Sequence, residues 1–157
     1  MRCRTANSRF RRVAAAGLIL SALILPSVLS GEESSVEELK GRVANANLAD
    51  RPALCIQISE SQLGAADRFY VLGDSEKAQA ALADVVAYSE LARDYAIQSR
   101  KHEKQSEIAI RKMARKLADI KHTVSHEDQQ QIQDTIDRLQ RIRDDLLAAM
   151  FSKDGKK

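Results

Sequence analysis

Tryptophan is absent from this chain, and neither glycine nor proline occurs between Asp74 and Asp154. So long a stretch without a breaker, rich in Ala, Leu, Lys, Arg, Glu and Gln, predicts helix. No segment shows the period-two alternation of a half-buried strand, which excludes a β architecture. The sequence also lacks a glycine-rich phosphate loop and the strained turn of a nucleophile elbow. Cysteine is scarce as well, with Cys3 and Cys55 alone. Aromatics after residue 30 are limited to Phe69, Tyr70, Tyr88, Tyr95 and Phe151. The core must therefore be lean and built on aliphatic side chains and alanine.

The first thirty residues have a different character. Arg2, Arg4, Arg9, Arg11 and Arg12 form a positive head without any acidic residue. Val13 to Leu25 is an almost unbroken apolar run, followed by Pro26 and the small residue Ser30. Positive head, apolar run and small residue in that order predict a secretory signal peptide over residues 1–30, cut near Ser30 and Gly31. The run is short for a membrane span, which needs about 20 residues. The alternative is an uncleaved N-terminal anchor holding the protein on the outer side of the membrane. The expected location is thus outside the cytoplasm, periplasmic or secreted. Cys3 leaves with the leader, and Cys55 then has no partner for an intramolecular disulfide.

Removal of the leader reverses the charge balance. The whole chain has 25 Lys+Arg against 22 Asp+Glu. Without the five leader arginines the balance is 20 against 22, so the basic character of the precursor is no argument for nucleic-acid binding. The remaining 127 or so residues suffice for one modest domain. The expected organisation is a single helical domain over residues 31–151 and a disordered polar tail over 152–157.

Four helices are expected. The first, short, runs from Ser35 to Asn45 and carries Glu37 and Glu38 near its positive end. The second starts at Asp50, has Pro52 in its first turn where a missing N–H does no harm, and stops near Gly73. The third follows from Asp74. Its seam of Ala78, Leu82, Val85, Ser89, Ala92, Ala96, Ser99, Glu103, Ser106, Ile110, Met113, Leu117, Ile120 and Val124 keeps one heptad-like register. The fourth begins at Ser125, where Ser125 and Asp128 form a variant capping box, and ends near Phe151. The fold class is therefore all-α. Two arrangements are open. An unbroken third helix gives elongated antiparallel hairpins sharing one long central helix, the arrangement the continuous register favours. A break in the polar stretch Ser99–Gln105 gives a compact four-helix bundle.

Phe69, Gly73-Asp74, Ala78 and Leu82 are spaced like the hairpin of a tetratricopeptide-type repeat, and the segment from about Gln62 to Val85 resembles one such unit. Gln62 stands where that repeat favours a large apolar residue, and no second copy follows. The resemblance implies a protein-binding hairpin geometry only. The run Glu127-Asp128-Gln129-Gln130-Gln131 is similar in composition to small periplasmic helical chaperones and stress sensors, without their Leu-Thr-x-x-Gln signature.

Each candidate for chemistry has a plainer reading. Cys55 falls on the apolar face of the second helix and reads first as a small core residue, second as a redox or intermolecular thiol. His122 and His126 are four apart, but a helix boundary falls between them and His102 is remote, so no metal site is expected. Glu103 is a charge on the seam, read as a polar gap paired with Lys101 or Lys104. No carboxylate sits in an apolar setting that would suit acid–base work.

Two surface features remain. Arg100–Lys121 holds eight positive residues against three negative ones. Within it Arg111, Lys112, Arg115 and Lys116 are two adjacent pairs four residues apart, a candidate anion-binding strip. The plainer reading is a solvated face partly paired with Asp134, Asp137, Asp144 and Asp145. Tyr88, Leu91 and Tyr95 form an apolar stripe off the main seam. It is covered either by the first helix, through Val36, Leu39 and Val43, or by a partner protein. The expected function is non-catalytic, an extracytoplasmic interaction or scaffold protein with a protein partner or a second copy of itself. The alternative is binding of anionic membrane or cell-envelope polymer through the basic face, and a third is a periplasmic chaperone or stress sensor. Neither cofactor, nucleic acid nor small-molecule substrate is expected.

Overall fold

A computed structural model describes residues 30–152, with side chains from residue 35 onward. The expected leader, save Ser30, and the tail after Ser152 lie outside the described residues. The described residues form five helices: α1 (Ser30–Asn45), α2 (Arg51–Val71), α3 (Ser75–Ser99), α4 (Glu103–Lys121) and α5 (His126–Phe151). The protein is all-α, and none of the described helices is long and apolar enough to cross a membrane.

The helix ends follow local chemistry. Gly73 closes α2 with a φ of 75°, a conformation that glycine enters without a side-chain clash. Its N–H donates to the Tyr70 carbonyl at 3.1 Å and the Asp74 N–H to the Phe69 carbonyl at 2.9 Å. That is the paired bonding of a Schellman motif, which satisfies carbonyls the helix end leaves open. Asp74 then caps α3, accepting from the Lys77 N–H at 3.2 Å. Ser125 caps α5 in the same way through the Asp128 N–H, and its hydroxyl donates back to the Asp128 carboxylate at 2.7 Å. Asp50, by contrast, makes no side-chain cap to α2, and Pro52 is buried in that first turn.

The long central helix does not form. The chain leaves the helix at Arg100 and resumes at Glu103, with Arg100 and His102 in the left-handed region at φ of 54° and 62°. Left-handed geometry at two residues with a Cβ costs about 1–2 kcal/mol each. What offsets it is packing. Between Ala96 and Ile110 the seam carries only Ser99, Glu103 and Ser106, so a straight helix would gain little apolar contact there. Folding back sets α5 against α3. Ala92 and Ala96 on α3 are fully buried, as are Leu139 and Leu146 on α5. The compact bundle is thus the arrangement adopted, and the continuous register across Ser99–Gln105 was not a sign of one helix.

Helices α2 to α5 alternate in direction. Lys116 near the end of α4 pairs with Asp67 near the end of α2 at 3.0 Å. Ser75 at the start of α3 donates to Asp128 at the start of α5 at 3.0 Å. Both hairpin turns, at residues 71–74 and 122–125, therefore lie at one end. The α3–α4 connection and Phe151 lie at the other. The α2–α3 hairpin is the tightest pair: buried Ser89 donates to buried Ser59 at 3.3 Å across it, and Ser59 bonds to the Cys55 and Val85 carbonyls at 3.1 and 3.3 Å. Helix α1 packs antiparallel on α2, burying Val36 and Val43.

Candidate functional site

The stripe on α3 is partly covered. Tyr88 and Tyr95 are half-buried against the core, whereas Leu91 between them is 38% exposed. Each ring carries a cation. Lys40 of α1 stands 5.9 Å from the centre of the Tyr88 ring, and Arg51 stands 5.3 Å from that of Tyr95. Such contacts are worth about 0.5–1 kcal/mol at exposed sites. Both cations are held in place, Lys40 by Glu37 at 2.7 Å and Arg51 by the Ala46 carbonyl at 3.1 Å. The Glu37 bond raises the Lys40 pKa above its usual value. Burial raises that of Tyr88 despite the opposing charge of Lys40. The first helix thus contributes a charged rim, and Leu91 remains an apolar centre open to contact.

Beside this face, α1, α2 and α3 enclose a groove of about 440 Å³, floored by Val36, Ala65, Phe69 and Ala81. It was not foreseen, because its walls come from three separate helices. Its rim includes Lys40, Gln62, Lys77 and Asp84. These groups bond to near neighbours: Gln62 to Asp84 at 2.8 Å, and Lys77 to Asp74 at 2.7 Å. A ligand would have to displace those pairs. A second cleft of about 390 Å³ between α3 and α5 is lined chiefly by charge, with Glu90, Arg138 and Arg141 around the Arg93–Asp145 pair.

The basic strip is intact on the outer face of α4. Arg111, Lys112, Arg115 and Lys116 are all exposed, while Ile110, Met113 and Leu117 face the core. It is not paired with the α5 aspartates as expected. Asp134 and Asp137 accept from Gln130 and Gln133, Asp144 lies beside Arg143, and Asp145 takes Arg93. Instead Lys116 pairs with Asp67, and Arg111 stands 3.8 Å from Glu107.

Glu107 is the residue that sequence reasoning missed. The expected polar gap was Glu103, which is instead a half-buried residue at the start of α4, where a negative charge suits the positive helix end. Glu107, one turn later, is buried and accepts from the Arg143 Nε of α5 at 2.8 Å. Its partner is 36 positions away, and no local pattern marks the pair.

The remaining candidates are dispersed. Cys55 is fully buried, and desolvation, only partly countered by Arg51, pushes its thiol up to about 11. It is therefore protonated, not a poised nucleophile. His122 and His126 are both exposed at the α4–α5 turn, and His102 lies at the far end of the bundle. Among the described residues no group of three or more His, Cys, Asp or Glu is placed to hold a metal ion. No family model, curated protein or solved structure matches the chain.

Proposed function

We propose that this is an exported, non-catalytic helical interaction or scaffold protein that docks a partner protein on the Tyr88–Leu91–Tyr95 face of α3. What supports the reading is Leu91, an apolar side chain left 38% exposed between two rings that each have a cation over them. An apolar centre within a polar rim is the usual anatomy of a protein interface. The test is capture from the envelope fraction with chain 31–157 and its Leu91→Glu variant. A partner retained at high salt by the wild type and lost by Leu91→Glu supports the reading. Equal retention by both removes this face from it. The resemblance of residues 62–85 to a tetratricopeptide-type hairpin supports protein binding in general and does not reach this face.

A second reading has its own observation. Lys112 and Arg115 are exposed on the outer face of α4 and in no ion pair among the described residues, beside Lys116 paired with Asp67 and Arg111 near Glu107. This favours binding to an anionic lipid or envelope-polymer surface. Each exposed cation near such a surface adds about 1 kcal/mol, so Lys112→Gln with Arg115→Gln should weaken binding about 30-fold at low salt. Sedimentation with phosphatidylglycerol vesicles measures it. An absence of wild-type binding at low salt ends this reading. The chaperone or stress-sensor alternative rests on the composition of residues 127–131 and draws no separate support from the site.

A further inference from the structure

Val71 and Leu72 form the tip of the α2–α3 hairpin and are 83% and 69% exposed. Val71 ends α2 and Leu72 is its C-cap, next to the left-handed turn at Gly73. At the same end lies the start of α1. Val36 and Glu37 share the groove wall with Arg68, Phe69 and Lys77, whereas Ala46 meets Arg51 at the opposite end. From Val36 back to Ser30 the helix rises about 9 Å at 1.5 Å per residue, which carries it to the level of the hairpin tip. The apolar run Val13–Leu25 joins that point through only four intervening residues.

We infer that this end of the bundle is its membrane-facing end, and that Val71 and Leu72 rest in lipid while residues 1–29 remain attached. The inference relies on the N-terminally anchored alternative given above and is independent of which partner α3 or α4 binds. Charge does not carry the contact. At this end Lys77 is paired with Asp74 at 2.7 Å, Lys116 with Asp67 at 3.0 Å, and Lys121 donates to Gln133 at 2.8 Å. The tip is apolar and its contact is expected to be insensitive to salt, unlike any contact made by the basic strip. The tether brings the tip to the surface, and two exposed aliphatic side chains entering the interface gain what apolar burial provides.

The absence of tryptophan makes the test direct. Leu72→Trp places one fluorophore at the tip. Phe151→Trp places another at the opposite end, where the native side chain is equally 69% exposed. The full chain is reconstituted with phosphatidylcholine vesicles, with or without bromine-substituted acyl chains, and recovered by flotation at high salt. In the floated fraction Leu72→Trp should lose most of its emission to the brominated lipid, and Phe151→Trp should keep its own. Val71→Trp should behave as Leu72→Trp does. A full chain that does not float refutes the anchored reading and the inference with it. A chain that floats with unquenched tip tryptophans, or with Phe151→Trp quenched equally, refutes the inference and leaves the anchor standing.

Discussion

Replacing Arg143 by methionine leaves the Glu107 carboxylate buried beside α5 without its main partner. The Glu107 side chain is 9% exposed, Arg143 is 34% exposed, and the Nε–Oε1 distance is 2.8 Å. Breaking a fully buried pair costs about 3–5 kcal/mol, because one charge stays out of water uncompensated. Arg143 retains a third of its surface in solvent, so screening brings the expected loss to about 2 kcal/mol. Arg111, at 3.8 Å and 43% exposed, recovers less than about 1 kcal/mol of that. Urea unfolding followed by circular dichroism reads the change. With a slope of about 1–3 kcal/mol per molar, the midpoint should fall by about 1 M. The double variant Glu107→Met with Arg143→Met removes both charges at similar volume and should regain most of the stability. An Arg143→Met variant within about 0.5 kcal/mol of wild type, or a double variant no better than the single, would refute the claim that Glu107 depends on this pair.

Two further outcomes are expected. Cys55 ionises near its ordinary value when unfolded but only at about 11 when folded, so its contribution is complete below pH 9 and is lost as pH rises from 9 to 11. That loss is about 2–3 kcal/mol, and Cys55→Ala should flatten the decline in urea stability over this window. Arg100→Gly should stabilise the fold by up to about 1 kcal/mol by relieving its left-handed strain. In one continuous helix the same change would cost about 1 kcal/mol, so the sign measured by urea unfolding distinguishes the two arrangements.

Much of the secondary structure was legible because helix ends are local events. Gly73, Asp74, Pro52 and the Ser125–Asp128 pair each act within one turn of chain, and all were found where expected. The seam residues Leu82, Val85, Ile110, Leu117, Ile132 and Leu139 are buried for the same reason, since their spacing alone sets the face they share. The stripe Tyr88–Leu91–Tyr95 and the strip Arg111–Lys116 were also visible as helix faces. Their surroundings were not. Lys40 and Arg51 reach Tyr88 and Tyr95 from other elements, and Asp67 reaches Lys116 from α2.

By itself, then, the sequence determined the helical class, the hairpin turns, the inward faces of the helices and the choice of alanine at close contacts. These depend on backbone propensity and on a period of 3.6 residues, which act over a few positions. Only the tertiary structure decided that the chain turns back at Arg100–His102, that Glu107 and not Glu103 is a buried charge of α4, and that α1 starts at the same end of the bundle as the Val71–Leu72 tip. Both arrangements of the third segment satisfy the same local pattern. They differ in whether α5 packs against α3, where Ser75 meets Asp128 and Arg93 meets Asp145, a packing gain between residues about fifty positions apart, and that gain outweighs the strain of two left-handed residues.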